Sequence, residues 1–335
     1  MMKKFLWIVG GLLLFAFLGV CVLVVFFPTP QVPSATLIAK YGQPPSQFLK
    51  LPSGTVVHYR DYPAAAGGGG APILVLLHGS NASLHTWEPW AHRLQATMRV
   101  ISVDLPGHGL TGATVERDYS INGMVSFLDN FTSALGIDRP FVLAGNSMGG
   151  HVAWRFALAH PNRVSKLVLV DAAGVTAPGV DMTPRLGFRL ARNPMAAPIL
   201  RRFAPRAIFA ETLKGAFYDQ SLATPQMIDR YWELNRRPGT PEATFARLRL
   251  PSYDPAMMAR LHEIAVPTLV LWGRQDALLP VRLANVYAEK IPHATVIIYD
   301  HCGHLPMEEV SDRSAADLRA FVEGMPQPGT AIGQK

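Results

Sequence analysis

The sequence predicts an α/β fold: a mostly parallel, doubly wound sheet with an inserted helical cap. Three observations carry this. Short β-rich runs alternate with helical patterns along most of the chain, as a parallel sheet requires. The alternation stops between Asp171 and Pro267, where Pro- and Arg-rich helical sequence such as Arg185 to Arg206 replaces it; residues 172–266 therefore read as an insertion. With 335 residues and a hydrophobic fraction of 49%, the chain can bury one large core with such an insertion, which excludes a disordered or fibrous protein.

Taken in order, the chain opens with Met1-Met2-Lys3-Lys4 and then Phe5 to Phe27, twenty-three residues without a charge. A bilayer span needs about 20 apolar residues. The apolar core of a signal peptide is usually about 7 to 15, so residues 5–27 read as a transmembrane helix. Lys3 and Lys4 precede the run and the next positive residue is Lys40, which puts residues 1–4 in the cytoplasm. The expectation is a single-pass N-terminal anchor in the cell membrane with the remaining chain extracytoplasmic, periplasmic in a Gram-negative cell. Leu18-Gly19-Val20-Cys21 loosely resembles a lipoprotein box, although Val20 is bulkier than the small residue expected before such a cysteine.

Residues 28–47 carry Pro28, Pro30, Pro33, Pro44 and Pro45 and read as an extended spacer that cannot hold a helix. A folded domain is expected over 48–325, followed by a tail at 326–335. It begins with a hairpin through Thr55 to Tyr62. A Gly67 to Gly70 loop then leads into the buried strand Ile73 to Leu77. Further strands are expected at Val100 to Val103, Phe141 to Ala144, Leu167 to Val170, Thr268 to Leu271 and Thr295 to Ile298. Helices are expected at Ile121 to Leu135, Met148 to His160, Val281 to Lys290 and Ser311 to Glu323.

Two cysteines, one inside the apolar N-terminal run, give no disulfide framework. The net charge of +7 comes from scattered basic residues with no nucleic-acid motif, so it reads as solvated surface. Met182 to Ala210 holds six arginines and no acidic residue, which reads as solvated helix faces or as a surface for an anionic headgroup or carboxylate.

The chemistry is legible in four places. After Phe141 to Ala144 comes Gly145-Asn146-Ser147-Met148-Gly149-Gly150, opening directly into a helix: a Gly-x-Ser-x-Gly elbow in its strand-turn-helix context. A serine must project from a tight turn there, and flanking glycines remove side chains that would collide. Ser147 is the candidate nucleophile, and Met148 offers its backbone N–H at the helix start to a developing oxyanion. His304, in Asp300-His301-Cys302-Gly303-His304-Leu305-Pro306 after the last strand, is the candidate base; Gly303 gives its loop freedom. His301 is its structural or exposed neighbour. Asp276, after Thr268 to Trp272, is the candidate acid that orients the imidazole, with Asp171 as the alternative. Ser80, in His78-Gly79-Ser80, is placed to supply the second oxyanion N–H, with Asn81 the near alternative.

Five motifs in this order resemble the α/β-hydrolase superfamily over Gly54 to Val322: His78-Gly79, Asp104-Leu105-Pro106-Gly107-His108-Gly109, the elbow, Trp272-Gly273-Arg274-Gln275-Asp276 and Gly303-His304-Leu305-Pro306. The resemblance implies hydrolysis without cofactor or metal, and a turn-shaping role for His108. Relatives that open epoxides or displace halide carry an aspartate at the elbow, which Ser147 argues against. The elbow, Trp272-Gly273-Arg274 and Cys302-Gly303-His304 also resemble the meta-cleavage-product hydrolases, which break a carbon–carbon bond in a dienoic acid. Those enzymes usually show a Gly-rich oxyanion loop and a tryptophan after the catalytic histidine, where this chain has Ser80-Asn81-Ala82 and Leu305. The expectation is thus a membrane-anchored serine hydrolase of lipid-like or small apolar carboxylic esters, with no nucleic-acid partner. The alternatives are a carbon–carbon hydrolase and a non-catalytic binding module on the same fold.

Overall fold

A computed structural model of the chain describes residues 28–66, 68–180, 189–190, 192–251 and 253–325, with positions 10, 11, 15 and 19. Among the described residues one sheet runs in the order β1-β2-β4-β3-β5-β6-β7-β8. Its strands are β1 (Ser46–Lys50), β2 (Val56–Tyr62), β3 (Ile73–Leu77), β4 (Arg99–Val103), β5 (Phe141–Asn146), β6 (Val164–Val170), β7 (Thr268–Gly273) and β8 (Ala294–Tyr299). β1 and β2 join antiparallel at one edge, and every pairing from β4 to β8 is parallel. The doubly wound α/β class expected from the alternation is the observed one.

The central strands are apolar runs because both of their faces are covered. β3 and β5 are buried at every position, as strands between two helical layers must be. Ile73, Val75 and Leu77 pack with α3 (Ile121–Ala134), α4 (Met148–Ala159) and α10 (Arg282–Lys290). Leu74 and Leu76, pointing the other way along the pleat, pack with α2 (Glu88–Leu94) and α12 (Ser311–Glu323). Ser120 caps α3 by accepting a hydrogen bond from Gly123 N–H at 3.0 Å.

Between β6 and β7 the described chain is helical: α5 (Ala197–Arg202), α6 (Arg206–Lys214), α7 (Pro225–Asn235), α8 (Thr240–Leu248) and α9 (Pro255–Ala259). This segment packs on the apolar cluster of the α2 face through Leu213, Phe217 and Tyr231. Tyr231 also reaches into the domain, where its hydroxyl lies 3.4 Å from Thr86 and 3.5 Å from Glu308 of α11 (Pro306–Glu309). Burial there pushes the Glu308 carboxyl up to about 7. Part of the arginine-rich stretch, residues 181–188 and 191, lies outside the described residues, as does the tail at 326–335.

Two expectations for the N-terminal region are corrected. Residues 28–47 were expected to hold no helix, yet α1 runs from Ser34 to Tyr41. The prolines do not oppose it: Pro33 is its N-cap and Pro44 follows its end, so the helix occupies the proline-free stretch between them. Tertiary contacts hold it. Lys40 Nζ meets Glu233 Oε2 of α7 at 2.9 Å, Val32 N–H donates to Arg236 O at 3.0 Å, and Thr29 N–H donates to Arg202 O at 2.9 Å. The segment is therefore a strap across the α5–α7 helices. The second correction concerns the membrane. A span requires a continuous apolar helix of about 20 residues, and among the described residues no helix is long and apolar enough to cross a membrane. The run Phe5 to Phe27 lies outside the described residues except at four positions. The expected single-pass anchor, and the extracytoplasmic location drawn from it, are accordingly withdrawn.

Candidate active site

The sheet brings the sequence-predicted residues to one edge. Strand ends stand level there: Leu77 pairs with Gly145, Asn146 with Val170, Val170 with Leu271 and Gly273 with Tyr299. The loops that leave these ends carry Ser80, Ser147, Asp171, Asp276 and His304 in turn. β3 has β4 on one side and β5 on the other, so the chain reverses its winding at this point. Open α/β sheets bind ligands outside the carboxyl ends of strands at such a switch. Four of the five non-glycine residues with left-handed φ among the described ones, Asn81, Ser147, Asp171 and His301, lie at this edge. Strain of that kind gathers at functional sites.

Ser147 joins β5 to α4 with φ 52° and ψ −116°. Its backbone is fixed on both sides: the N–H donates to Val170 O at 3.0 Å, and the carbonyl accepts from His151 N–H at 3.1 Å and Ala173 N–H at 2.9 Å. The side-chain hydroxyl is thus held out on a sharp bend. The glycines are required by close approach. A Cβ at Gly145 would overlap the Gly149 carbonyl, and one at Gly149 would overlap the Leu77 carbonyl and come within 2.6 Å of His78 O. Both obstacles are backbone of the central sheet and the elbow, which cannot move aside. Gly149→Ala should therefore destabilise the protein by about 3 kcal/mol. Thermal unfolding checks this, and a Tm within about 2 °C of wild type would contradict it.

His304 and Asp276 meet directly. Asp276 Oδ2 lies 2.6 Å from His304 Nδ1, both residues being buried. Asp276 Oδ1 accepts from Leu278 N–H at 2.7 Å and Leu279 N–H at 2.9 Å, which fixes the carboxylate plane. A carboxylate that only accepts assigns the imidazole proton to Nδ1 and leaves Nε2 as the basic nitrogen. The His304 N–H donates to Ala216 O at 2.7 Å. Gly303 is needed for this packing, because a Cβ there would overlap Ala216 O and come within 2.8 Å of Tyr218 N. Its role is close approach, since it is absent from the left-handed glycines among the described residues. Asn146 ties the two halves together: its Nδ2 donates to Val170 O at 3.2 Å and to His304 O at 3.1 Å. Ser147 Oγ has no hydrogen bond among the described residues; such contacts in empty sites are commonly long and shorten around substrate.

Ser80 and Met148, the candidate oxyanion donors, are adjacent, with Ser80 Oγ 3.5 Å from Met148 Sδ. Met148 opens α4, whose first-turn N–H groups have no intrahelical acceptor. The Ser80 loop is held from the inserted helices by Asn235 Nδ2, which donates to Asn81 O at 2.6 Å. His301 is exposed and lies 3.1 Å from the Tyr218 hydroxyl. His108 is buried, donates through Nδ1 to Pro106 O at 2.9 Å, and is driven by burial well below the usual imidazole range.

Residues 72–310 match the family described as alpha/beta hydrolase fold. The chain belongs to the α/β-hydrolase fold family. It is 30% identical over 269 residues to a 2-hydroxy-6-oxononadienedioate/2-hydroxy-6-oxononatrienedioate hydrolase of Pseudomonas putida, covering 77% of this chain and 90% of that one. It is 28% identical to the monoacylglycerol lipase abhd6-B of Xenopus laevis over 79% of each chain. Among solved structures it resembles a membrane phospholipase A described as a bacterial virulence factor. That match has a TM-score of 0.69 at 27% identity and covers 97% of this chain and 99% of the other. Hydrolysis is the activity these relatives share.

Two features of this α/β-hydrolase were not read from its sequence. Asp104, in the Asp-Leu-Pro-Gly-His-Gly turn, is fully buried and lies 2.6 Å from His58 Nδ1, and it accepts from Leu84 N–H and Leu110 N–H, both at 2.7 Å. Burial alone would raise its carboxyl, but His58 and His78 hold it below the usual range. It binds the loops flanking the candidate oxyanion turn. The second is Asn146, whose signal was a polar residue ending an otherwise apolar buried strand.

Proposed function

We propose that the chain is a serine hydrolase that cleaves carboxylic esters with a lipid-like or small apolar acyl or alcohol part, through an acyl-enzyme on Ser147. The observation that carries this reading is the left-handed Ser147 at the junction of β5 and α4, tied through Asn146 to the loop that holds His304. Ser147 Oγ attacks the ester carbonyl and gives its proton to His304 Nε2. Asp276 holds the imidazole and offsets the charge it gains. Backbone N–H groups of Ser80 and Met148 face the oxyanion. The alcohol leaves with the proton from His304, and water then attacks the acyl-enzyme by the same route. The helical segment at about 172–266 serves as a cap that supplies an apolar wall over Ser147.

The named relatives that act on lipid esters, a monoacylglycerol lipase and a phospholipase A, support the ester reading. So does the replacement of a Gly-rich turn by Ser80-Asn81-Ala82, with Leu305 after His304. A second reading, hydrolysis of a carbon–carbon bond in a dienoic acid, is favoured by the 30% identity to the dienedioate hydrolase. The two are separated by measuring kcat/KM on p-nitrophenyl esters of increasing chain length and on a 2-hydroxy-6-oxo-dienoate. Ester turnover with an optimum chain length and no dienoate cleavage is expected. Dienoate cleavage with negligible ester turnover would replace the ester reading with the second.

A further inference from the structure

Asp171 lies beside Asp276 and His304, and the proposed mechanism leaves it unused. It ends β6 in a left-handed conformation, φ 43°, and its side chain is fully buried. Donor atoms of Asp171, Asp276 and His304 all lie within 4.8 Å of one another. The hydrogen bonds around them are nearly complete. Asp171 Oδ1 accepts from Gly273 N–H at 3.0 Å, and its N–H donates to Leu271 O at 2.9 Å. Asp276 accepts from Leu278 and Leu279 N–H through one oxygen and meets His304 through the other. Of the side-chain polar atoms of these three residues, only Asp171 Oδ2 is buried without a hydrogen-bond partner among the described residues.

An isolated buried acceptor is unfavourable, and two ionised carboxylates this close repel strongly when both are buried. A single proton removes both difficulties. Asp276 uses three acceptor positions, and a carboxylate offers about four. We propose that Asp171 carries a proton on Oδ2 and donates it as a hydrogen bond to Asp276, acting as a positioning residue for the Asp276–His304 pair.

The proton stays on Asp171 throughout turnover, and no substrate atom touches it. The surroundings favour the neutral acid: burial first, and then the facing Asp276, push the Asp171 carboxyl well above the usual range. Glu309 faces it from the α11 side, and the Cys302 thiol, itself pushed up by burial, faces it from the loop after β8. The inference rests on the serine-hydrolase reading, since its kinetic arm needs that activity, but its spectroscopic arm does not.

The test uses the full chain with Asp171→Leu and Asp171→Asn. The leucine fills the volume and cannot donate; the amide can. Asp171→Leu is expected to lower kcat about tenfold at unchanged KM, with Asp171→Asn restoring most of that loss. The wild-type infrared spectrum should show a protonated-carboxyl stretch that Asp171→Asn removes. If Asp171 is instead ionised, Asp171→Asn moves the acid limb of kcat/KM downward by about one pH unit or more, and the infrared band is missing; either result overturns the proposal. Wild-type kcat in Asp171→Leu also overturns it. Should Ser147→Ala keep full turnover while the band is present, the hydrolase reading fails and the protonated pair stands.

Discussion

Ser147→Ala is expected to lose activity by a factor on the order of 10⁴ or more while keeping its fold, because the substitution removes the attacking oxygen and nothing else. Ser147 Oγ makes no hydrogen bond among the described residues, so no structural contact is lost with it. The backbone strain at φ 52° is the same for alanine as for serine, since both carry a Cβ. Stability should therefore change little, and kcat should fall without a matching change in the melting curve. Any remaining rate reports what the oxyanion donors and binding contribute alone. A variant that kept even a hundredth of wild-type kcat/KM would remove Ser147 from the chemistry.

Asp276→Asn is the second large effect. The carboxylate at 2.6 Å from His304 Nδ1 selects the tautomer that leaves Nε2 basic and stabilises the imidazolium formed during attack. An amide in its place can present an N–H to Nδ1 and select the opposite tautomer, so kcat should fall on the order of 10³ to 10⁴-fold. Steady-state kinetics on the best ester would measure it, with circular dichroism to establish folding. A loss smaller than about tenfold would contradict the assignment and pass the role to Asp171.

The fold was legible where a residue's environment is set by its own strand. β3 and β5 announce themselves because burial on both faces demands continuous apolar sequence. The elbow was legible because several of its positions admit only glycine: beyond Gly145 and Gly149, a Cβ at Gly150 would lie 2.5 Å from Ala172 Cβ. Ser147 and His304 follow from such local constraints and from the order of the strands.

What was not legible depends on contacts distant in sequence. α1 is short and lies between prolines, and its Lys40 pairs with Glu233 of α7, almost two hundred residues away in the chain. Local composition alone argued for an extended spacer. Asp171 was read as a competitor of Asp276, because a sequence cannot show that two loops lay their carboxyls side by side. Gly303 was noticed for the wrong property: its conformation is ordinary, and the approach of Ala216 and Tyr218 requires it. The apolar run at Phe5 to Phe27 was the plainest local feature, yet the described residues contain no helix that would cross a membrane.

The two substitutions converge on one claim, that Ser147 is a nucleophile activated by His304. The most direct test is to treat the protein with a fluorophosphonate probe and locate the adduct by peptide mass spectrometry. A single adduct on the peptide holding Gly145 to Gly150, lost in Ser147→Ala and strongly slowed in Asp276→Asn, is the expected result. An unlabelled wild-type protein, or an adduct on any other residue, would contradict it.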